Sequence, residues 1–405
     1  MEIKRHVLAA MTCVLLASVN VPARQVRSGS WSGSFLLNDT IRMPFRFDVT
    51  DSGFVFINAA ERIVAKEIST RGDSVFVVMP VFDSEFRMEG TGDTLKGFFI
   101  NHMRLSNQQI KCEAVYGRAA PLANDFELEN FAGRWAVLFA GDDPPLNLAV
   151  GEFSQHGNAI SGTFRTPTGD FRFLDGFLTS GKSFYLSGFD GSHVFYFTVT
   201  ADENDTLRGH YYSGTHWHDT WKAWRDKVAP LPDADLLSVL KPGARRLSFR
   251  FPDADSNFIS LSDTRFHGKV VLVQIMGSWC PNCMDEAAVL APFYEQYQAH
   301  GLEIIGLDFE RINSFHEASS FMKKFQKNFG ITYPILFAGS TDKKLRSQAI
   351  PQLKEIVGFP TLIFIDRKGI VRRIHTGFNG PATGRYFEKW KDDFYRFVEQ
   401  LLNEK

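Results

Sequence analysis

The sequence has no excess of charge of either sign, since 45 Lys and Arg residues stand against 46 Asp and Glu residues. Binding to nucleic-acid phosphates depends on a basic surplus, so nucleic acid is not an expected partner. Cysteine is also scarce, and four copies in 405 residues are too few for a disulfide-stapled scaffold. The 44% of hydrophobic and 22% of charged residues exclude a disordered chain and a multi-span membrane protein. At about 150 residues per domain, the length predicts two or three domains.

An apolar run long enough to span a bilayer, about 20 residues, is missing at the N-terminus. The run that is there covers residues 7–19, follows two basic residues and precedes small residues suited to cleavage. This pattern is typical of a cleaved export signal. We therefore predict a signal peptide over residues 1–23 and an exported product, periplasmic in a Gram-negative bacterium and soluble after cleavage. Cleavage would remove Cys13 and leave three cysteines, Cys112, Cys280 and Cys283.

Long helical periodicity is absent between residues 31 and 225. Short segments there alternate apolar and polar residues and end at glycine and Asp/Asn turns. The clearest alternating sets are Phe45/Phe47/Val49, Phe54/Phe56, Phe171/Phe173 and Phe195/Phe197/Val199. A period of two is typical of an antiparallel sheet buried on one face, and it predicts that phenylalanine, present in 39 copies, fills the core.

Two short motifs recur within this β-rich region, which we place at residues 29–226. They are Gly29-Ser30-Trp31 with Gly133-Arg134-Trp135, and Asp93-Thr94-Leu95-Lys96-Gly97 with Asp205-Thr206-Leu207-Arg208-Gly209. Such self-similarity predicts two related β units, at about residues 29–120 and 131–226. They are expected to form either two small barrels or two halves of one larger sheet structure.

The chain changes character after a connector rich in proline, alanine and aspartate at residues 227–248. Residues 249–405 alternate between apolar runs and segments of helical spacing, in the order βαβ followed by ββα. The expected strands are 270–276, 302–309, 333–337, 361–365 and 370–374, and the expected helices are 286–297, 315–329 and 387–401. This order predicts an α/β domain.

The segment with the clearest chemistry is Trp279-Cys280-Pro281-Asn282-Cys283, between an apolar strand and an amphipathic helix. Two cysteines separated by two residues at a helix start can form a reversible disulfide. Unpaired N–H groups and the helix dipole favour a thiolate there, so Cys280 is the expected accessible nucleophile and Cys283 the thiol that resolves a mixed disulfide. Half of a zinc site is the alternative, but it needs two further ligands, and this domain has no second cysteine pair and only scattered histidines.

Further motifs accompany this segment. They are Gly268-Lys269-Val270-Val271-Leu272-Val273, Gly358-Phe359-Pro360-Thr361 and Phe364-Ile365-Asp366-Arg367-Lys368-Gly369. Over residues 249–405 the set resembles the thioredoxin-like TlpA/ResA family of exported thiol-disulfide oxidoreductases. The resemblance implies a thioredoxin fold, protein disulfides as substrates, and neither cofactor nor metal. It also implies a cis Phe359-Pro360 bond that faces the cysteines, in a loop that pairs with the target backbone. The residues expected to bind substrate are Trp279, Pro281, Phe359, Pro360 and Thr361.

The resemblance also implies a role in proton transfer for Glu286, three residues after Cys283. Three residues are nearly one helical turn, so this carboxylate can reach the second thiol from the same face. Gln274 stands where classical thioredoxins have an aspartate, which strengthens the case for Glu286 as the proton acceptor. A solvated surface glutamate is the alternative. The sequence departs from the family at Ala288, where a proline is usual, with Pro292 one turn later.

These features predict an exported thiol-disulfide oxidoreductase that acts as a protein-disulfide reductase and is re-reduced by a membrane thiol donor. Peroxiredoxins share the fold, but Val273 and Gly277 replace the Pro and Thr that precede their reactive cysteine. Copper chaperones of this fold resemble Cys-x-x-x-Cys, which is one residue longer than the spacing here. An alternative of another class is an envelope ligand-binding protein whose thioredoxin-like domain serves only as a docking module.

Two weaker signals lie in the β-rich region. His216 and His218 are predicted to share one side of a strand, where a His-x-His pair can bind zinc or copper, although no third ligand is identifiable. The alternative is an aromatic-rich strand without a metal. Cys112 is expected to be a buried free thiol, because free cysteine behaves as a small hydrophobe.

Overall fold

The computed structural model describes residues 26–106, 108–117, 127–141 and 143–404. The predicted signal peptide and Cys13 lie outside the described residues. Within the described residues, no helix is both long enough and apolar enough to cross a bilayer.

The first β unit is one sheet of nine antiparallel strands. The strands are β1 (Gly29–Leu36), β2 (Arg42–Thr50), β3 (Gly53–Asn58), β4 (Glu61–Ala65), β5 (Glu67–Arg71), β6 (Ser74–Val78), β7 (Ser84–Thr91), β8 (Thr94–Asn101) and β9 (Gln109–Tyr116). Their order across the sheet is β4-β3-β2-β1-β9-β8-β7-β6-β5. In β1 and β2 every second side chain is buried. These side chains point to the same face of the sheet, and that face is the one turned to the core.

Phenylalanine fills the core of this unit, as the alternation predicts. Phe35 stacks on Phe45 with ring centroids 4.3 Å apart, and Phe56 stacks on Phe86 at 5.1 Å. Phe189, from the second unit, completes the cluster, and its backbone exchanges two hydrogen bonds with the side chain of Asn58. The two β units are therefore packed against each other through a shared apolar contact.

The second β unit is a separate sheet. The strands are β10 (Gly133–Phe139), β11 (Leu148–His156), β12 (Ala159–Thr166), β13 (Gly169–Asp170), β14 (Leu174–Ser180), β15 (Ser183–Phe189), β16 (Val194–Ala201), β17 (Leu207–Ser213) and β18 (Trp217–Arg225). The order is β11-β10-β18-β17-β16-β15-β14-β12-β13, and β11 also pairs with β12. This last pairing closes the second sheet into a barrel. Because each β unit has its own sheet, the structure agrees with two barrel-like sheets and not with two halves of one larger sheet.

The sequence repeats correspond to equivalent places in the two units, as predicted. Trp31 and Trp135 both lie near the start of the first strand, and each indole donates to the carbonyl four residues earlier, at 2.9 Å and 3.0 Å. Gly97 and Gly209 both lie in the strand that opens with the Asp-Thr-Leu motif. A Cβ at either glycine would lie 2.0–2.1 Å from a carbonyl oxygen of the neighbouring strand, which explains why the motif ends in glycine.

The strand predicted around Phe171 and Phe173 is wrong. These residues lie in the connection between β13 and β14, and Arg172 between them has φ +56°. A positive φ interrupts the pleat of a strand, so the two phenylalanines are not members of one alternating set. An alternating strand would leave Arg172 on the polar face. Its side chain is instead largely buried between the β units and the C-terminal domain.

The C-terminal domain contains a mixed five-stranded sheet with helices on its faces. Its elements are the short strands β19 (Arg250–Pro252) and β20 (Phe258–Ser260), the sheet strands β21 (Val270–Met276), β22 (Leu302–Glu310), β23 (Ile335–Ser340), β24 (Thr361–Ile365) and β25 (Val371–Thr376), and the helices α1 (Pro281–Tyr297), α2 (Phe315–Phe329), α3 (Lys343–Ala349) and α4 (Arg385–Asn403). The sheet order is β23-β22-β21-β24-β25. This is the predicted thioredoxin-like α/β domain.

Most of the predicted elements of this domain are confirmed, and α2 and β24 have the expected bounds. The short helix α3 and the β19–β20 hairpin were not predicted, since neither has a long periodic pattern. Strand β21 is buried at every position and lies in the middle of the sheet, with α1 following directly after its end. This connection from β21 to α1 carries the two cysteines.

The connector at residues 227–248 lies along the C-terminal domain. Leu247 belongs to the apolar cluster under the sheet, and Leu240 pairs with Leu353. Asp235 forms an ion pair with Arg373 at 2.7 Å and a hydrogen bond with His375 at 2.6 Å, both in β25. The position of the β units relative to this domain is thus fixed through the connector as well as through direct contacts.

The glycine at the end of the repeated motif gives a test of this packing. In Gly209→Ala the new Cβ would lie 2.0 Å from the Thr198 carbonyl oxygen and 2.8 Å from the Trp221 indole. We expect the free energy of unfolding to fall by about 1–3 kcal/mol, the usual cost of overpacking. Urea unfolding followed by tryptophan fluorescence measures this change. Gly141→Ala is the control, because its Cβ would be 3.8 Å from the nearest atom; equal stability of the two variants would contradict the packing argument.

Candidate redox site

The two cysteines lie at the start of α1, as predicted from their spacing. Cys280 is the N-cap residue, its Sγ accepts a hydrogen bond from the Cys283 backbone N–H at 3.2 Å, and Pro281 occupies the first helical position. Proline is tolerated there because that N–H has no partner within the helix. The positive end of the helix dipole therefore points at Cys280, which favours a thiolate when the pair is reduced.

Cys280 and Cys283 are joined as a disulfide, with their Cα atoms 5.2 Å apart. The expectation that Cys280 is accessible is wrong for this conformation, since it is only 3% exposed and Cys283 is 0% exposed. The apolar cluster around the disulfide includes Phe82 and Met103 from the first β unit. The apolar cluster that contains the disulfide thus extends into the first β unit.

The loop predicted to face the cysteines contains the expected cis Phe359-Pro360 bond. The Trp279 ring contacts the Phe359 ring edge-on at 5.5 Å, and its indole N–H donates to the Phe309 carbonyl at 2.9 Å. Thr361 is buried, and its hydroxyl donates to the Gly358 carbonyl at 2.8 Å. Its side chain therefore holds the loop in shape and is not available to a substrate in this conformation.

Glu286 lies one turn beyond Cys283 and is completely buried, which excludes the alternative of a solvated surface glutamate. Gln274 links it to the cysteine, because its Nε2 donates to Glu286 Oε2 at 2.8 Å and lies 3.5 Å from the Cys283 carbonyl oxygen. Burial raises the pKa of Glu286 to about 8, and the hydrogen bond from Gln274 only partly opposes this effect. The buried carboxyl can therefore exchange a proton near neutral pH.

A second carboxyl pair, which the sequence reasoning missed, lies on the other side of the cysteine segment. Asp308 and Glu310 end strand β22, and both accept a hydrogen bond from the Ser278 backbone N–H at 3.1 Å. Burial raises the pKa of both groups, and the charge of Glu310 raises the pKa of Asp308 further. The sequence did contain a signal for this pair. The two acids are two residues apart, so they share one face of a strand, and they lie at the carboxyl end of a buried parallel strand, where ligand-binding and catalytic groups often lie.

The redox site also contacts the β units through a buried arginine, which the sequence reasoning also missed. Arg172 forms ion pairs with Glu61 of β4 and Asp285 of α1, and its Nη1 donates to the Pro281 carbonyl at 3.3 Å. Burial raises the pKa of Asp285 to about 7, while the charge of Arg172 acts in the opposite direction. The first turns of α1 are thus held by residues of both β units.

The predicted His-x-His pair is wrong. His216 lies in the turn before β18 and contacts Arg104 at 2.6 Å, whereas His218 lies in β18 against His210 at 3.0 Å. Burial and the charge of Arg104 lower the pKa of His216 to about 4. Among the described residues, no three His, Cys, Asp or Glu side chains are arranged to hold a metal ion.

Cys112 is the buried free thiol that the sequence predicted. It lies in β9 at 3% exposure and forms no disulfide. Burial raises the pKa of this thiol to about 12, which keeps it protonated and unreactive.

The buried state of Glu286 leads to a stability prediction. A carboxyl whose pKa is higher in the folded than in the unfolded protein stabilises the fold at low pH, and this contribution is lost as the pH rises from the unfolded value towards about 8. Wild-type stability should therefore fall by up to about 1.4 kcal/mol per pH unit more than that of Glu286→Gln over this window. Urea midpoints of the oxidised proteins between pH 5 and 8 measure the difference.

Glu295→Gln is the matched control, since Glu295 is exposed on the same helix. Its stability should follow that of the wild type at every pH. Curves for the wild type and Glu286→Gln that stay parallel would show that Glu286 is ionised in the folded protein and would contradict the prediction.

Comparison with known proteins agrees with this geometry. Residues 242–374 match the model of the AhpC/TSA family. The thiol-disulfide oxidoreductase ResA of Geobacillus thermodenitrificans is 31% identical over 114 residues, which are 28% of this chain and 58% of that protein. ResA of Geobacillus kaustophilus is 30% identical over 135 residues, 33% of this chain and 69% of that protein. A solved structure of a putative thiol:disulfide interchange protein DsbE from Chlorobium tepidum is 21% identical, covering 41% of this chain and 100% of that one, with a TM-score of 0.32.

This chain thus spans between 58% and 69% of the length of these two relatives. The range that matches the family model contains both the cysteine segment at the start of α1 and the cis Phe359-Pro360 loop. On the strength of these matches, the chain belongs to the TlpA/ResA-like family of thiol-disulfide oxidoreductases.

Proposed function

We propose that this protein is an exported enzyme that reduces disulfides in other proteins and is re-reduced by a thiol donor in the membrane. The observation that carries the proposal is the Cys280–Cys283 pair at the helix start, with the buried carboxyl of Glu286 one turn beyond it. The sequence pattern of residues 1–23 supports export. Reduction outside the cytoplasm is chemically feasible because the redox state there is maintained kinetically and not by a glutathione buffer.

In the proposed cycle, the Cys280 thiolate attacks one sulfur of the target disulfide. A mixed disulfide forms, and the other target sulfur leaves as a thiolate. Cys283 then loses its proton and attacks Cys280 Sγ, which forms the Cys280–Cys283 disulfide and releases the second target sulfur. The target gains two electrons and two protons, and the enzyme is oxidised by two electrons.

Glu286 is proposed to take the proton from Cys283 in the second step. Gln274 contacts both Glu286 and the Cys283 backbone, which supports their proximity. A general base is most effective when its pKa is close to the working pH, and burial raises the pKa of Glu286 to about 8. The same group, once protonated, can return a proton to a leaving thiolate.

A second candidate function is ligand binding by the β units. The observation that favours it is a cleft of about 780 Å³ where both β units meet the start of α4. The cleft is lined in part by Arg46, Arg134, Glu152 and Asp175, and neither cysteine of the disulfide lines it. In that case the C-terminal domain would serve only for docking.

Insulin reduction in the presence of dithiothreitol distinguishes the two functions. We expect the wild type to accelerate the reaction and Cys280→Ser to fall to the rate of dithiothreitol alone, because the attacking thiolate is lost. After removal of dithiothreitol, reduced Cys283→Ser should accumulate a mixed disulfide with the target, visible on a non-reducing gel. Cys112→Ser is the control and should retain the wild-type rate, since Cys112 is buried in β9 and unpaired. Equal rates for the wild type and Cys280→Ser would contradict the enzyme function.

A further inference from the structure

The turn between β12 and β13, residues 166–169, lies directly on the C-terminal domain, which carries the disulfide and is called the redox domain below. A Cβ added at Gly169 would lie 2.1 Å from Asn282 Nδ2, inside the Cys-x-x-Cys segment. A Cβ added at Gly358, just before the cis-proline pair, would lie 2.5 Å from Thr168 Cγ2. The turn therefore touches both segments that flank the disulfide, with no space for another chain between them.

The turn is attached to the redox domain by polar contacts. Asn282 Nδ2 donates to the Asp170 carbonyl at 3.1 Å, and the buried Asp170 carboxylate accepts from the Gly380 backbone N–H at 2.6 Å. Next to it, Arg172 holds Asp285 of α1. Such contacts are localised at a few polar groups, unlike the apolar packing of a domain core.

The turn also has its own internal hydrogen bonds. The Thr166 hydroxyl donates to the Gly169 carbonyl at 2.8 Å and accepts from the Thr168 backbone N–H at 3.3 Å. These bonds do not involve the redox domain, so the turn can keep its conformation when it moves away from Asn282.

Thiol-disulfide exchange requires the incoming sulfur to reach Cys280 Sγ. At 3% exposure, Cys280 cannot be reached by a disulfide held in another folded protein. The turn lies against Asn282 and Gly358, in the two segments that flank the disulfide, and Phe82 and Met103 belong to the same apolar cluster as Cys280. Access therefore depends on a β-unit element that is not part of the chemical site.

We propose that the turn at residues 166–169 determines which disulfides the enzyme reduces, by covering the face beside Cys280 and excluding protein targets until it leaves Asn282 and Gly358. The inference rests on the proposed function, because it concerns access to the same disulfide. Targets able to displace the turn are exposed segments that carry a disulfide.

Gly169→Ala tests this inference as a gain of function. The added methyl group would overlap the Asn282 side chain, and the backbone at Gly169, with φ +148°, would be strained by a side chain, so both effects favour movement of the turn away from Asn282. We expect the rate of insulin reduction to rise about tenfold, equivalent to about 1.4 kcal/mol in the equilibrium between covered and open forms. Alkylation of reduced Cys280 by iodoacetamide, followed by mass spectrometry, should accelerate by a similar factor.

Gly157→Ala is the matched control. Gly157 lies in the turn between β11 and β12 of the same barrel, has φ +61°, and has no atom within 4 Å of an added Cβ. It imposes backbone strain without touching the redox domain, so the rates of insulin reduction and of Cys280 alkylation should equal those of the wild type.

Thr168→Gly is a milder second variant, because it removes the contact with Gly358 without adding an atom. Both rates should rise about threefold, which is a smaller shift of the same equilibrium.

Folded Gly169→Ala and Thr168→Gly proteins with wild-type alkylation rates would overturn the inference. A lower insulin rate together with faster alkylation would also overturn it, because the turn would then be part of the surface that holds the target. If no variant reduces insulin but Gly169→Ala is alkylated faster, the covering role of the turn is supported and the proposed function fails instead.

Discussion

The arrangement of the three parts of the protein depends on one buried guanidinium, that of Arg172. It is paired with Glu61 of the first β unit and Asp285 of the redox domain, and it also donates to the Pro281 carbonyl. A buried charge is tolerated only when it is paired, and removal of one partner of a buried ion pair costs about 3–5 kcal/mol. Because its two partners belong to different parts of the chain, Arg172 keeps both ion pairs only when both β units and the C-terminal domain are in contact.

The same constraint accounts for the covered disulfide. Arg172 has φ +56° and lies two residues after Asp170, whose carboxylate accepts a hydrogen bond from the Arg172 backbone N–H at 2.6 Å. This bend directs the Arg172 side chain to α1 and places Gly169 on Asn282. One short segment, residues 169–172, therefore both docks the second barrel on the C-terminal domain and covers the face beside Cys280. A change in that segment alters access to the disulfide without altering the cysteines.

The sequence was sufficient to predict the structure of those segments whose conformation depends on neighbouring residues. The cysteine spacing, the apolar strand before it and the Gly-Phe-Pro-Thr motif are short-range patterns, and the site around Cys280 and Pro360 agrees with them. Arg172 could not be recognised in this way, because between two phenylalanines it has the same pattern as a solvent-facing strand residue. Its partners Glu61 and Asp285 are more than 100 residues away on either side. Similarly, the contacts of the second β unit with Asn282 and Gly358 join different domains, and local patterns do not contain them.

Helix α1 connects the interface to the chemistry through two consecutive acids. Residues next to each other in a helix point about 100° apart, so Asp285 faces the β units while Glu286 faces the core beside Gln274. Burial raises the pKa of Asp285 to about 7 and the pKa of Glu286 to about 8. The Asp285 carboxyl becomes charged as the pH rises through about 7, which strengthens its attraction to Arg172, and the Glu286 carboxyl becomes charged as the pH rises through about 8. The charge that pairs Asp285 with Arg172 and the proton of the buried carboxyl one turn beyond Cys283 therefore change over overlapping pH ranges, and both carboxyls lie in the first two turns of α1.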